Sequence, residues 1–198
     1  YKRQFQDCIN LSEVDLSRTK IETIGVSAFI DCGISALSLP EGLKEIQDQA
    51  FYGNKSLKEV KLPLGIQVVE NSAFCSSSIV KVELPNSVTR LGYRAFADCA
   101  DLKDFIVYDA TVDGNGETIV EIGCFENCTS LKEIKIPDSI KKLEGHTFIG
   151  CKSLERIILS KNLIEVGNYG IRTNYPVKSI EFTGKELSLI HISEPTRR

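Results

Sequence analysis

The stretch Phe51-Tyr-Gly-Asn54-Lys-Ser-Leu57-Lys-Glu-Val60-Lys-Leu62-Pro63-Leu-Gly-Ile66-Gln-Val-Val69, running on into Ala73-Phe74, decides the fold, because the rest of the chain repeats it. Phenylalanine recurs at Phe5, Phe29, Phe51, Phe74, Phe96, Phe125 and Phe148, at intervals of 24, 22, 23, 22, 29 and 23 residues. The slots between recur as well. Cys128, Leu131, Ile134, Ile136, Pro137, Ile140 and Leu143 follow Phe125, and Cys151, Leu154, Ile157, Leu159, Leu163 and Val166 follow Phe148. A fixed period of this length marks a solenoid, whose units are too small to bury a core alone and must stack on their neighbours.

Within each unit, Val60/Leu62, Ile134/Ile136 and Ile157/Leu159 bracket one residue that is usually polar. That alternation is a short strand with one face in the core and one in water. The proline that follows has no N–H to donate, so the chain should turn there. Apolar pairs three residues apart, Leu43/Ile46 and Val88/Leu91, then carry it along a second side. Ala28-Phe29, Ala50-Phe51, Ala73-Phe74 and Ala95-Phe96 mark a third side, where a short helical or 3₁₀ turn is expected with the ring plugging the interior. Phe29, Phe51, Phe74, Phe96, Phe125 and Phe148, with Cys32, Cys99, Cys128 and Cys151, form the expected repeat core.

The series Ile24-Gly25-x-x-Ala28-Phe29-x-x-Cys32, together with Ser130-Leu131-x-x-Ile134-x-Ile136-Pro137-x-Ser139-Ile140, resembles the BspA-type leucine-rich repeats of bacterial and protist surface proteins. The resemblance runs over residues 5 to 183. It implies an α/β repeat: a right-handed leucine-rich-repeat solenoid with short parallel strands on one face and turns and short helical or 3₁₀ segments on the others. It also implies a non-catalytic protein-protein interaction or adhesion segment of a secreted or cell-surface protein, located outside the cell, with a host or other cell-surface protein as partner. Two other roles stay open: a structural spacer projecting another domain, and the accessory repeat region of a larger enzyme.

Residues 1–186 read as the solenoid, with about eight coils counting partial ones. Leu187-Ser-Leu-Ile-His-Ile-Ser-Glu-Pro-Thr-Arg197 fits no slot and resembles the translation of a sequencing adapter, so 187–198 is expected to be a non-native tail on a metagenomic fragment. A natural C-terminal extension is the alternative. The start at Tyr1, without methionine, fits the expectation that both natural termini lie elsewhere.

Composition narrows the function classes. The chain is 42% hydrophobic and 26% charged, ordinary globular usage, and no stretch approaches the apolar length that spans a bilayer. A net charge of −3 with alternating signs offers no basic stripe, so nucleic acid is not an expected partner. No cofactor is expected. Five of the seven cysteines (Cys8, Cys32, Cys99, Cys128, Cys151) sit three residues after a repeat phenylalanine, where Asn54 and Ser77 stand in other copies. A slot shared by Cys, Asn and Ser wants a small side chain facing backbone groups, which favours a buried ladder of free thiols. Disulfides between neighbouring coils are the alternative, although side chains stacked in parallel have poor disulfide geometry. Without a CxxC pair, a zinc site is not indicated.

His146 is the one histidine before the tail, and no nucleophile-base pair can be assembled around it. The 29-residue unit carries its surplus at Asp109-Ala-Thr-Val-Asp113-Gly-Asn115-Gly-Glu117-Thr, where Tyr108 replaces the usual proline. Asp-Gly and Asn-Gly predict a protruding hairpin near 109–118, and the acidic residues lack EF-hand spacing. Candidate contact residues are therefore those projecting outward from the strands: Glu59, Lys61, Lys81, Glu83, Asp104, Ile106, Glu133, Lys135, Arg156 and Ile158. Stacking should set Glu59 beside Lys81, Lys61 beside Glu83, and Glu133 beside Arg156. The plain reading of these charges is a solvated ladder; Ile106 and Ile158 interrupt it as apolar contact points.

Overall fold

The computed structural model describes residues 5–108, 118–182, 184 and 191–192. They form a parallel β-solenoid of about seven turns. One side of each coil is a strand of three to five residues: β1 (Glu13–Asp15), β3 (Ala36–Ser38), β5 (Glu59–Lys61), β7 (Lys81–Pro85), β9 (Asp104–Tyr108), β11 (Glu133–Lys135), β13 (Arg156–Leu159) and β15 (Ser179–Phe182). These pair in parallel as β1-β3, β5-β7-β9 and β11-β13-β15. Proline then accepts the i+3 turn bond, as from Leu43 to Pro40, Ile66 to Pro63 and Ile140 to Pro137.

Strands were expected on one face only, yet a second side carries them too. Each is two residues long: β2 (Thr23–Ile24), β4 (Glu45–Ile46), β6 (Val68–Val69), β8 (Arg90–Leu91), β10 (Ile119–Val120), β12 (Lys142–Leu143), β14 (Glu165–Val166) and β16 (His191–Ile192). Together they make one unbroken eight-stranded parallel ladder. A dipeptide with one inward side chain is too short to show alternation, so the sequence pattern displays only the apolar pair. β16 falls within the expected tail and pairs with β14; the rest of 187–198 lies outside the described residues.

The helical or 3₁₀ segments expected at the phenylalanine corner are absent among the described residues. The cause is backbone conformation. Residues two before and two after each repeat phenylalanine from Phe29 to Phe148 are left-handed: Ser27 and Asp31 around Phe29 (φ 53° and 51°), Arg94 and Asp98 around Phe96 (54° and 57°), and His146 and Gly150 around Phe148 (59° and 79°). Isolated left-handed residues interrupt a right-handed helix and favour Gly, Asn and Asp, which supply most of the positions after the ring. An added Cβ would also lie 1.9 Å from the Asp31 carboxylate at Gly53 and 2.1 Å from the Asn127 carboxamide oxygen at Gly150, each in the preceding coil, so glycine is needed for space as well.

This geometry aims the amides along the solenoid. Phe29, Phe51 and Phe74 each donate N–H to the residue before the next phenylalanine (Ala50, Ala73, Ala95), all at 2.8 Å. The flanking left-handed residues do the same, as Gln49 to Asn71 and Gly53 to Cys75. The corner is thus a third inter-coil ladder, and the buried backbone is paired on three sides. Within it the seven rings form a column with centroids 5.3–6.0 Å apart and planes within 5–13°. Such offset stacking is a favoured aromatic geometry. Phe105, inward on β9, meets Phe96 and Phe125 edge-on at 5.6 Å and 4.8 Å.

The Cys/Asn/Ser slot completes the corner. Cys99, Cys128 and Cys151 donate Sγ–H to the carbonyls of Phe74, Phe96 and Phe125 at 3.1–3.2 Å, each one coil back. Asn54 Nδ2 and Ser77 Oγ donate to Phe29 and Phe51 at 2.8 Å and 2.9 Å. Three chemically different side chains share one task, donating to the phenylalanine carbonyl.

The predicted hairpin lies outside the described residues apart from Thr118. On either side of it the stack closes across two coils. The Asp138 amide donates to Asn86 Oδ1 and the Ser139 hydroxyl to the Val88 carbonyl, partners 52 and 51 residues apart. Thr118, buried between, donates to the Ser139 carbonyl and accepts from the Lys141 amide at 3.0 Å.

Two stability outcomes follow from the column and the slot. Phe96→Ala removes a ring with no solvent exposure and should cost about 3–5 kcal/mol in denaturant unfolding, with a broadened transition because coils contact only neighbours. Cys128→Ser should keep stability close to wild type, whereas Cys128→Val removes the donor and should cost about 1 kcal/mol or more. Equal midpoints for Ser and Val would dismiss the donor role.

Candidate functional site: a groove on the strand face

All ten outward candidates lie on the strand face, flanking the buried Val60, Val82, Phe105, Ile134 and Ile157. The register sets Glu59 opposite Lys81, Lys61 opposite Glu83, and Glu133 opposite Arg156. The ion pairs follow this register in part. Arg156 binds Glu133 at 3.0 Å and, through two nitrogens, Glu181 at 2.8 Å and 2.9 Å. These hydrogen bonds raise the Arg156 pKa and lower that of Glu181. Lys81, by contrast, pairs along its own strand with Glu83, which raises its pKa and leaves Lys61 without an ion pair among the described residues. Ile106 is 43% exposed and Ile158 half-buried. They lie on β9 and β13, with β11 and its outward Lys135 between those strands.

The outward residues of β5, β7 and β9 surround a hollow. One lobe, about 480 Å³, is lined by Glu41, Lys61, Pro63, Leu64, Glu83, Ile106 and Tyr108. A second, about 300 Å³, is lined by Leu37, Glu59, Val60, Lys61, Lys81 and Glu83. Lys61 and Glu83 line both, so the lobes adjoin.

Two features shape this groove. β3 and β5 are not hydrogen-bonded to each other, although β2 and β4 in the same coils are paired and the Phe29 and Phe51 rings stay 5.3 Å apart. The two coils therefore meet on two sides and separate on the strand side, where half-buried Leu37 and the edge of buried Val60 line the second lobe. The small outward side chains of Ala36 and Ser38 leave that opening uncovered. At the other end, the Tyr108 hydroxyl donates to the Leu62 carbonyl, two coils back, so that its ring walls the first lobe. Burial, aided by the carboxylates of Glu41 and Glu83, raises the Tyr108 pKa.

Outward alternation identified Lys61, Glu83 and Ile106 as candidates but passed over Glu41, Pro63, Leu64 and Tyr108. A signal for Leu64 exists: the position after the turn proline is Glu41, Asn86 or Asp138 in other coils, whereas Leu64 is apolar and 58% exposed.

No catalytic constellation accompanies the groove. The cysteines are free thiols, six of them buried. Burial raises the pKa of Cys99, Cys124 and Cys128 and pushes Cys151 up to about 12, the reverse of what activates a thiol. His146 lies at the opposite corner, beside the Tyr169 ring at 5.4 Å. Among the described residues, no group of three or more His, Cys, Asp or Glu could hold a metal ion, and no helix is long and apolar enough to cross a membrane.

The family model of the BspA type leucine rich repeat region matches in six copies, over residues 1–107 and 114–194. Similar solved structures include a leucine-rich repeat protein from Bacteroides ovatus, 27% identical with a TM-score of 0.71, over 88% of this chain and 44% of that one. The T. pallidum leucine rich repeat protein is 24% identical, with a TM-score of 0.63 over 84% of this chain and 75% of its own. A leucine rich cell surface protein from Faecalibacterium prausnitzii is 21% identical, with a TM-score of 0.50 over 90% and 61%. The chain thus spans under half the length of the Bacteroides ovatus protein. None of the curated proteins matches it.

Thiol chemistry offers a check with a definite pH sign. An unfolded cysteine ionises near pH 8.5, roughly, whereas the buried thiols stay protonated far above that. Their contribution to stability is complete below the unfolded value and is lost as pH rises through the folded values, up to about 12 for Cys151. Native protein at about pH 8.5 should alkylate slowly at all six buried cysteines, with all seven reacting after denaturation, and its thermal midpoint should fall as pH climbs further. Rapid native labelling of Cys128 or Cys151 would refute this.

Proposed function

Because this chain belongs to the BspA-type leucine-rich repeat family, we propose that it is a non-catalytic protein-binding segment that engages its partner through the strand face, with the groove between β3 and β9 as the anchor. The observation that carries this reading is the first lobe, in which exposed apolar Leu64 and Ile106 stand beside Lys61, which has no ion pair among the described residues. Binding surfaces combine a few convergent polar groups with an apolar floor, whereas a merely solvated ladder would be flat and internally paired. We place the segment in a secreted or cell-surface protein engaged in adhesion to a host or other cell-surface protein. The family supports this, as does the description of the Faecalibacterium prausnitzii neighbour as a cell surface protein.

The test is retention of extracellular-matrix, serum and cell-surface proteins on the immobilised chain, compared with a Lys61→Glu, Ile106→Ser variant of unchanged circular dichroism. The expected result is at least one protein retained by wild type and lost with the variant. A retained set indifferent to both substitutions removes the strand face as the site. Retention of nothing favours the spacer role instead.

A further inference from the structure

Charge is distributed unevenly along the strand face. From β1 to β9 the outward positions and the turn after β3 carry six carboxylates: Glu13, Asp15, Glu41, Glu59, Glu83 and Asp104. Against them stand two lysines, Lys61 and Lys81. Lys81 is bound to Glu83 and also faces Glu59 and Asp104, so three carboxylates share it. Glu41, Glu59 and Asp104 make no salt bridge among the described residues; at the rim Lys58 is held by Asp101 at 3.6 Å, and Arg18 lies near Asp15. On β11 to β15 the balance is even: Glu133 and Glu181 face Lys135 and Arg156, and Arg156 is bound by both acids. The groove coincides with the half that carries excess negative charge.

From this coincidence we infer that the groove takes a basic protein segment carrying an apolar anchor side chain. The inference rests on the strand-face reading above and names the chemistry of its partner. The anchor enters the lobe walled by Pro63, Leu64, Ile106 and Tyr108, while flanking lysine or arginine side chains meet Glu41, Glu59 and Asp104. A carboxylate-bearing segment would find in the groove Lys61, beside the carboxylates of Glu41 and Glu83, and Lys81 already bound to Glu83. The first lobe is lined by outward side chains and turn residues, so it is suited to taking a side chain. Complementary charge of this kind raises the association rate and fixes specificity, and it makes binding sensitive to salt.

The probe is a fluorescein-labelled peptide, Gly-Lys-Lys-Leu-Lys-Lys-Gly, read by fluorescence anisotropy beside its Glu-for-Lys and Ser-for-Leu counterparts. The basic apolar peptide should bind saturably, weaken with added salt and exceed both counterparts by about tenfold or more. Glu59→Lys and Ile106→Ser should each weaken it by about tenfold, while Lys152→Ala, at an exposed turn away from the groove, should leave it within about twofold, all with wild-type circular dichroism. Equal binding to the Glu59→Lys protein, or to the Ser-for-Leu peptide, overturns the inference. So does absence of binding by all three peptides. Preferential binding of the acidic peptide, lost in Ile106→Ser, overturns the basic partner yet leaves the strand face a protein-binding surface. Failure of the function itself is read separately, in the retention experiment.

Discussion

A pair of left-handed residues brackets each repeat phenylalanine from Phe29 to Phe125 and turns three alternate amides toward the next coil, so that the ring, its flanking backbone and the next repeat lock together. The remaining architecture follows from that corner. Stacked rings set the spacing of the coils, the donated amides set their register, and the Cys, Asn or Ser three residues on occupies the phenylalanine carbonyl from the coil ahead. Where the left-handed residue has a polar side chain, it adds a further rung: Asn127 donates to Asp98 at 2.8 Å, and Arg94 reaches both Asp98 and Glu126. A left-handed residue other than glycine is locally unfavourable, and the corner tolerates many because those from Asp7 to Asn127 donate their amides to the next coil.

Most of this was legible in the sequence because the repeat averages out accident. Val60 and Leu62 announced a strand, Pro63 its end, and the positions of Glu59 and Lys81 in the period gave the register found between β5 and β7. The corner was misread for a physical reason. Ala-Phe looks like a helical pair, and the contrary signal lies in the residues around it, Ser27 and Asp31 or Gln49 and Gly53, whose identities vary while their conformation does not. Only the aspartates, asparagine and glycines after the ring hinted at left-handed backbone.

The groove was legible only in fragments. Outward alternation reached Lys61, Glu83 and Ile106, but the gap between β3 and β5 depends on the missing hydrogen bonds of one strand pair, which no residue type announces. Tyr108 was conspicuous as a missing proline. Its effect, a side chain returning two coils to the Leu62 carbonyl, required coordinates.

Repetition and recognition make opposite demands on such a chain. Stacking rewards coils that resemble one another, whereas a binding site requires a place unlike the rest of the surface. The chain reconciles these by confining its departures to outward positions and turns: Ala36 and Ser38 for larger side chains, Leu64 for a polar residue, Tyr108 for proline, and Ile106 in a column of charges. None of these changes touches the phenylalanine column, the amides of the corner or the carbonyl-capping slot. They fall on four consecutive coils, β3 to β9, and there produce one hollow with an apolar wall and an acidic surround. On β11 and β13, where the outward residues keep closer to the alternating pattern, Arg156 is bound by acids from both neighbouring strands and the surface charge is matched within the chain itself.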